Sequence, residues 1–176
     1  MLSIYLAMLE DDDDKHRFKT LYDNYKNFMI KYAYSKLHDN DYVVNAVDDA
    51  LLSIAKNIKN IPYDTEKAYI YMIIKNATIN EAKRVKKNMN VDFYSDDYNF
   101  VDFNTPADNL IYQESLKKLI DLLKSMPREY RDTITLRYLY GMSLNDISLI
   151  LNININTVKS IVRRGKAMIK EKLVQL

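Results

Sequence analysis

The sequence predicts an all-α chain, two small helical domains joined by a flexible acidic linker, and three observations carry that prediction. Glycine occurs twice and proline three times in 176 residues, and 48% of the residues are apolar, so little interrupts helix. Apolar residues recur at spacings of three and four over long stretches, the period of an amphipathic helix. The charge, only +2 overall, is unevenly divided. Residues 1–88 hold 14 basic and 13 acidic side chains, residues 89–109 hold five acids and no base, and residues 110–176 hold 12 bases and 6 acids. A neutral block, an acidic bridge and a basic block read as domains over 1–87 and 110–176 with a linker over 88–109.

In the first block Phe18, Leu21, Tyr22, Tyr25, Phe28, Met29 and Tyr32 form one stripe, predicting a helix from about Asp12 to Leu37. Asp11 to Lys15 spell DDDDK, a motif engineered into protease-cleavable tags. The stripe continues straight from it, and aspartates suit a helix start, so the segment is read as native. Val44, Val47, Leu51, Ile54 and Ile58 predict a second helix from about Asp41. Pro62 breaks the chain, and a third helix runs from about Glu66 to Lys87, with Asp64 or Thr65 as its cap. The bridge contains turn formers and Pro106 and has no sustained period.

In the second block Leu110, Leu116, Leu119, Ile120 and Leu123 lie on one helix face. Pro127 fits a first helical position, and Gly141 fits the C-terminal end of the helix that follows. Ser143 with Asp146 predicts a capping box opening a short helix to Leu151. Asn152, Ile153 and Asn154 form a tight turn, and a last helix runs from about Asn156 to Leu173. A helix, a three-residue turn and a longer basic helix outline a helix-turn-helix.

Composition excludes several chemistries. Without cysteine there is no thiol nucleophile, disulfide or thiolate metal site, which fits a reducing compartment. No glycine-rich phosphate loop is present. His16 and His38 have no second ligand at metal spacing, and no nucleophile signature surrounds any serine. No catalytic role, metal or cofactor is expected. No apolar run reaches the roughly 18 residues of a membrane span, and the start lacks a signal-peptide pattern, so a cytoplasmic protein is expected.

Three polar faces remain. At 100° per residue, Val158, Ile161, Val162, Gly165, Met168, Ile169 and Leu173 occupy about 140° of the last helix. Asn156, Lys159, Ser160, Arg163, Arg164, Ala167 and Lys170 lie opposite, with no acid among them. Such a face neutralises phosphates and reaches base edges in a major groove, although a solvated face would also carry lysines. On the third helix Asn76, Asn80, Lys83 and Lys87 form one line that Tyr69 and Ile73 extend, with Arg84 on its flank. Amides and cations beside an aromatic suit an unstacked strand; an aromatic core edge with a Lys-rich helix end would look similar. On the second helix Leu52 sits among Asn45, Asp48, Asp49 and Lys56, as a protein-contact anchor or as an ordinary exposed leucine.

These residues resemble a known family, the sigma-70 family of bacterial RNA polymerase sigma factors, in its two-domain extracytoplasmic-function (ECF) group. LYDNYKNFMIKYA, VVNAVDDALLSIAKNI and YIYMIIKNATINEAKR resemble the family's region 2, a three-helix domain. MPREYRDTITLRYLYGMSLNDISLILNININTVKSIVRRGKAMIKEKL resembles its region 4, a helix-turn-helix domain. The resemblance spans about 18–87 and 110–174.

It implies a dissociable subunit that binds core RNA polymerase and directs it to promoter DNA. Region 2 would dock on the clamp helices of the largest subunit through Asn45, Asp48, Asp49 and Leu52. It would also engage the −10 element through Tyr69, Asn76, Asn80, Lys83, Arg84 and Lys87. Region 4 would read the −35 element with Asn156, Thr157, Lys159, Ser160, Arg163 and Arg164 and would contact the polymerase flap. An anti-sigma factor is a further implied partner. Val44 and Asn45 replace the family's acidic pair, Asp48 its glutamine, Tyr69 its tryptophan and Asn80 its aspartate. In the recognition helix Ile161 replaces an arginine but falls in the apolar arc, and Asn152 stands at the turn glycine with Ser148 at the small alanine. The alternative reading is a stand-alone helix-turn-helix regulator acting without polymerase, in which the first block has no role.

Overall fold

The computed structural model describes residues 2–89 and 118–174, all of them in helices, turns or short connections and none in a strand. The chain divides into two compact units, Met1–Phe103 and Asn104–Leu176, at a boundary inside the expected acidic bridge. Apart from residues 88 and 89, which complete a helix, that bridge lies outside the described residues.

The first unit contains α1 (Leu2–Ala7), α2 (Asp12–Leu37), α3 (Asn40–Lys56), a 3₁₀ turn (Ile58–Asn60) and α4 (Glu66–Met89). α2 starts in the tetra-aspartate segment because Asp11 caps it, its carboxylate accepting the Asp13 N–H at 2.9 Å. His38 turns the chain in the left-handed region, φ 55°, and Asp39 then caps α3 by accepting from Asp41 N and Tyr42 N. α2, α3 and α4 pack around Phe18, Leu21, Met29, Leu37, Leu51, Ile54, Ile70 and Ile74, all sealed from solvent. Tyr32 and Tyr71 meet edge-on across the α2–α4 seam, centroids 5.4 Å apart. Arg17 pins the connector into α4. Its guanidinium donates to the carbonyls of Ile58, at 3.0 Å, and Ile61, and lies 3.8 Å over the Tyr63 ring.

α1 is an element that the periodicity does not reveal. Six residues are under two turns, too few to nucleate a stable helix alone, so tertiary packing holds it. Tyr5 does this, lying buried with its ring 5.7 Å from Phe18 and its hydroxyl donating to Asp48 Oδ1 at 3.1 Å.

In the second unit residues 118–124 are helical (α5), followed by α6 (Arg128–Ile134), a π-helical turn (Thr135–Leu139), α7 (Leu144–Leu151) and α8 (Ile155–Val174). Pro127 is the N-cap of α6 and not its first helical residue; its ψ of 144° is extended, so the helix opens one residue later. Before Gly141 the helix widens into the π turn, closed by Tyr140 N donating to Thr135 O at 3.1 Å. Gly141 takes φ 60°, and Met142 N returns to Leu136 O at 3.0 Å. The core is Leu123, Ile134, Met142, Ile147, Val158 and Ile161. At Gly165 helices α6 and α8 come so close that a Cβ would stand 2.9 Å from Ile134 Cγ1.

Two outcomes follow. Asn152 holds φ 52° at the end of α7, so Asn152→Val is expected to destabilise the unit by about 1–2 kcal/mol in urea unfolding, while Asn152→Gly is tolerated. The Tyr5 phenol is pushed up to about 12, first by burial and then by its hydrogen bond to Asp48 and the charges of Asp48, Tyr22 and Asp49. A neutral phenol is therefore bound more firmly in the folded chain than in the unfolded one. Its contribution is whole below the ordinary tyrosine value near 10 and is lost as pH rises toward about 12. Melting temperatures taken across that range should fall less steeply for Tyr5→Phe than for the parent chain.

Candidate nucleic-acid and protein interfaces

The α7–α8 turn is held from both sides. Ser143 Oγ accepts the Asp146 N–H at 3.0 Å while Asp146 Oδ2 accepts the Ser143 N–H at 2.8 Å, completing the capping box. The Ser148 hydroxyl donates to Ile153 O at 2.6 Å, a tie across the turn that alanine does not make. Asn154 Oδ1 accepts the Asn156 N–H at 2.8 Å and so satisfies the first turn of α8. With Val158 and Ile161 facing inward, Asn156, Thr157, Lys159, Ser160, Arg163 and Arg164 are all exposed. The Ser160 hydroxyl donates back to Asn156 O at 3.0 Å, leaving its lone pairs available. No ion pair engages Lys159, Arg163 or Arg164 among the described residues. The result is a rigidly presented cationic ridge.

On α4, Asn76, Asn80, Lys83 and Lys87 are exposed along one line, and Tyr69 and Ile73 are half-buried at its start. Arg84, on the flank, is turned toward α3, 3.0 Å from both Asp49 Oδ2 and Glu81 Oε2. Those two acids hold its guanidinium further above its ordinary range, the hydrogen bond to Glu81 most of all.

The polar face of α3 is more occupied than its helical wheel suggests. Asn45 is exposed and donates to Glu81 Oε1 at 2.9 Å, Asp48 accepts from Tyr5, and Asp49 pairs with Arg84. Leu52 is half-buried among them. Sequence reasoning missed two participants here, Tyr5 and the buried Glu81. Glu81 lies at an inward position of α4, where a carboxylate needs partners, and that mismatch is the signal that finds it. Beside Asp48 an apolar groove of about 180 Å³ opens between α2 and α3, with Tyr22, Lys26, Val43, Val44 and Leu51 in its walls.

Among the described residues no group of His, Cys, Asp and Glu side chains is placed to hold a metal. No helix there is long and apolar enough to cross a membrane.

Comparison with known proteins agrees with this geometry. The family model for sigma-70 region 4 matches residues 116–169. The chain is 25% identical over 176 residues to the ECF RNA polymerase sigma factor SigW of Bacillus subtilis, covering 93% of this chain and 92% of that one. It is 25% identical over 175 residues to the ECF RNA polymerase sigma-E factor of Haemophilus influenzae, covering 93% and 90%. The fold resembles CnrH, solved in complex with the cytosolic domain of CnrY, at a TM-score of 0.56 and 14% identity, covering 99% of this chain and 95% of that one. The relatives are matched nearly end to end, and the capped helix-turn-helix lies within the matched region. Residues 116–169 are thus similar to sigma-70 region 4, and nearly the whole chain is similar to ECF RNA polymerase sigma factors.

Proposed function

We propose that this chain is a promoter-specific initiation factor that binds core RNA polymerase and directs it to paired −35 and −10 elements. The observation that carries the reading is the exposed, acid-free face of α8 behind a turn fixed at both ends. Asn156, Thr157, Lys159, Ser160, Arg163 and Arg164 read the upstream duplex in its major groove, cations on phosphates and amide or guanidinium on base edges. The line from Tyr69 through Asn76, Asn80 and Lys83 to Lys87 takes the melted downstream strand, where amides reach unpaired edges and cations follow the backbone. Arg84 serves that line from its flank while paired with Asp49 and Glu81.

Polymerase docks on α3 through Asn45, Asp48, Asp49 and Leu52. Its clamp helices meet this acidic, part-apolar face, and its flap meets the second unit. The acidic bridge, five carboxylates without a cation, repels duplex DNA. The work of such a chain is binding without catalysis of its own, in the cytoplasm where the polymerase is. An anti-sigma factor is a further proposed partner: CnrH, of similar fold, was solved with the cytosolic domain of CnrY. The stand-alone regulator is not favoured, since the relatives are polymerase sigma factors matched over both units.

The two DNA faces separate in one footprinting experiment on the holoenzyme. Arg163→Ala is expected to cost about 1–3 kcal/mol in upstream binding and to relax preference at one upstream position. Asn80→Ala is expected to keep upstream protection but lose permanganate reactivity at downstream thymines. Equal weakening on all promoters with only a smaller salt slope would make Arg163 a phosphate contact and not a base reader.

A further inference from the structure

α1 lies beside the part of α3 that the reading above assigns to polymerase. Tyr5, within α1, reaches Asp48, and Met8 and Leu9, just past its C-terminal end, share a depression with Ala55 and Lys56. The N-terminal segment thus meets α3 at positions on both sides of Leu52. Its fastening is one-sided. Tyr5 is 7% exposed, whereas Ile4 at 64% and Met8 at 48% face outward.

The Tyr5–Asp48 contact does more than hold α1 down. Tyr5 packs on Phe18, which in turn packs on Tyr22 of the same aromatic row, at centroid separations of 5.7 Å and 6.5 Å. The phenol oxygen is therefore fixed by a buried ring. A hydroxyl so placed fixes the carboxylate that accepts from it. Oδ1 of Asp48 is taken, and Oδ2 has no protein partner among the described residues.

We propose that Tyr5 is a positioning residue for polymerase docking: from α1 it holds the Asp48 carboxylate in one rotamer, with the second oxygen presented beside Leu52 to a cationic side chain of core polymerase. The inference rests on the placement of Asp48 in the polymerase contact. Side chains immobilised before binding lose less conformational freedom on binding, so the hydroxyl strengthens docking without touching polymerase.

The 176-residue chain, Tyr5→Phe, Asp48→Ala and the double variant are titrated against purified core polymerase, with circular dichroism verifying that each stays helical. Phenylalanine keeps the buried ring and removes only the hydroxyl. Tyr5→Phe is expected to raise Kd by about three- to tenfold, and to have no further effect once Asp48 is alanine. That vanishing effect is the readout a merely structural tyrosine would not produce. Binding by Tyr5→Phe equal to or tighter than the parent, with Asp48→Ala still weakened, overturns the inference and leaves the docking assignment standing. The same loss from Tyr5→Phe in both backgrounds also overturns it. Parent-like binding by Asp48→Ala overturns both the inference and the placement on which it rests.

Discussion

Val158 is wholly buried and Ile161 nearly so, and the rotational setting of α8 follows from those two side chains turning inward. Once they are inside, the 3.6-residue period leaves Asn156, Lys159, Ser160, Arg163 and Arg164 nowhere to point but outward. Gly165 allows the close approach that lets this happen, because a side chain there would run into Ile134. The capping box at Ser143 and the Ser148 tie then fix where α8 begins. The proposed DNA face depends on that sequence of constraints, since rotating α8 by one residue would put valine or isoleucine where its polar side chains now stand.

The first unit solves a different problem, because one pair of helices carries two proposed interfaces. In the proposed function α3 would face polymerase and α4 the strand, and Arg84 spans the seam between Asp49 of one and Glu81 of the other. Glu81 is nearly inaccessible, and its carboxylate is satisfied by Asn45 and Arg84 together. Removing either partner leaves a buried charge short of a hydrogen bond, a larger penalty than the pair's own attraction repays in the exposed half. The two interfaces are physically adjacent and share charged groups, so substitutions at the seam will not act on one interface alone.

Long periodic elements were legible in the sequence: α2, α3, α4 and α8 begin and end within one or two residues of where stripes, caps and Pro62 place them. The Ser143–Asp146 box and the left-handed Asn152 were legible too, each having a local mechanism. What escaped is tertiary in origin. α1 is too short to show a period and exists because Tyr5 finds Phe18 and Asp48, distant in sequence. The wheel puts Leu52 in water, yet it is half-buried, because a wheel has no knowledge of a neighbouring helix. The π turn before Gly141 likewise leaves no mark in periodicity, since it shifts the register by a single residue. Of the candidate faces, residue types and the exposure of the α8 positions were legible; the ties that bind Asn45, Asp48, Asp49 and Arg84 to other helices were not.

Transcription by purified core polymerase of the same cell, on a pool of promoter fragments with and without this chain, tests the central claim most directly. The account predicts discrete transcript starts that appear only when the chain is present and that lie at fixed distances downstream of two shared sequence elements. Start sites that are the same with and without the chain would contradict it, as would tight, specific binding to duplex DNA that needs no polymerase.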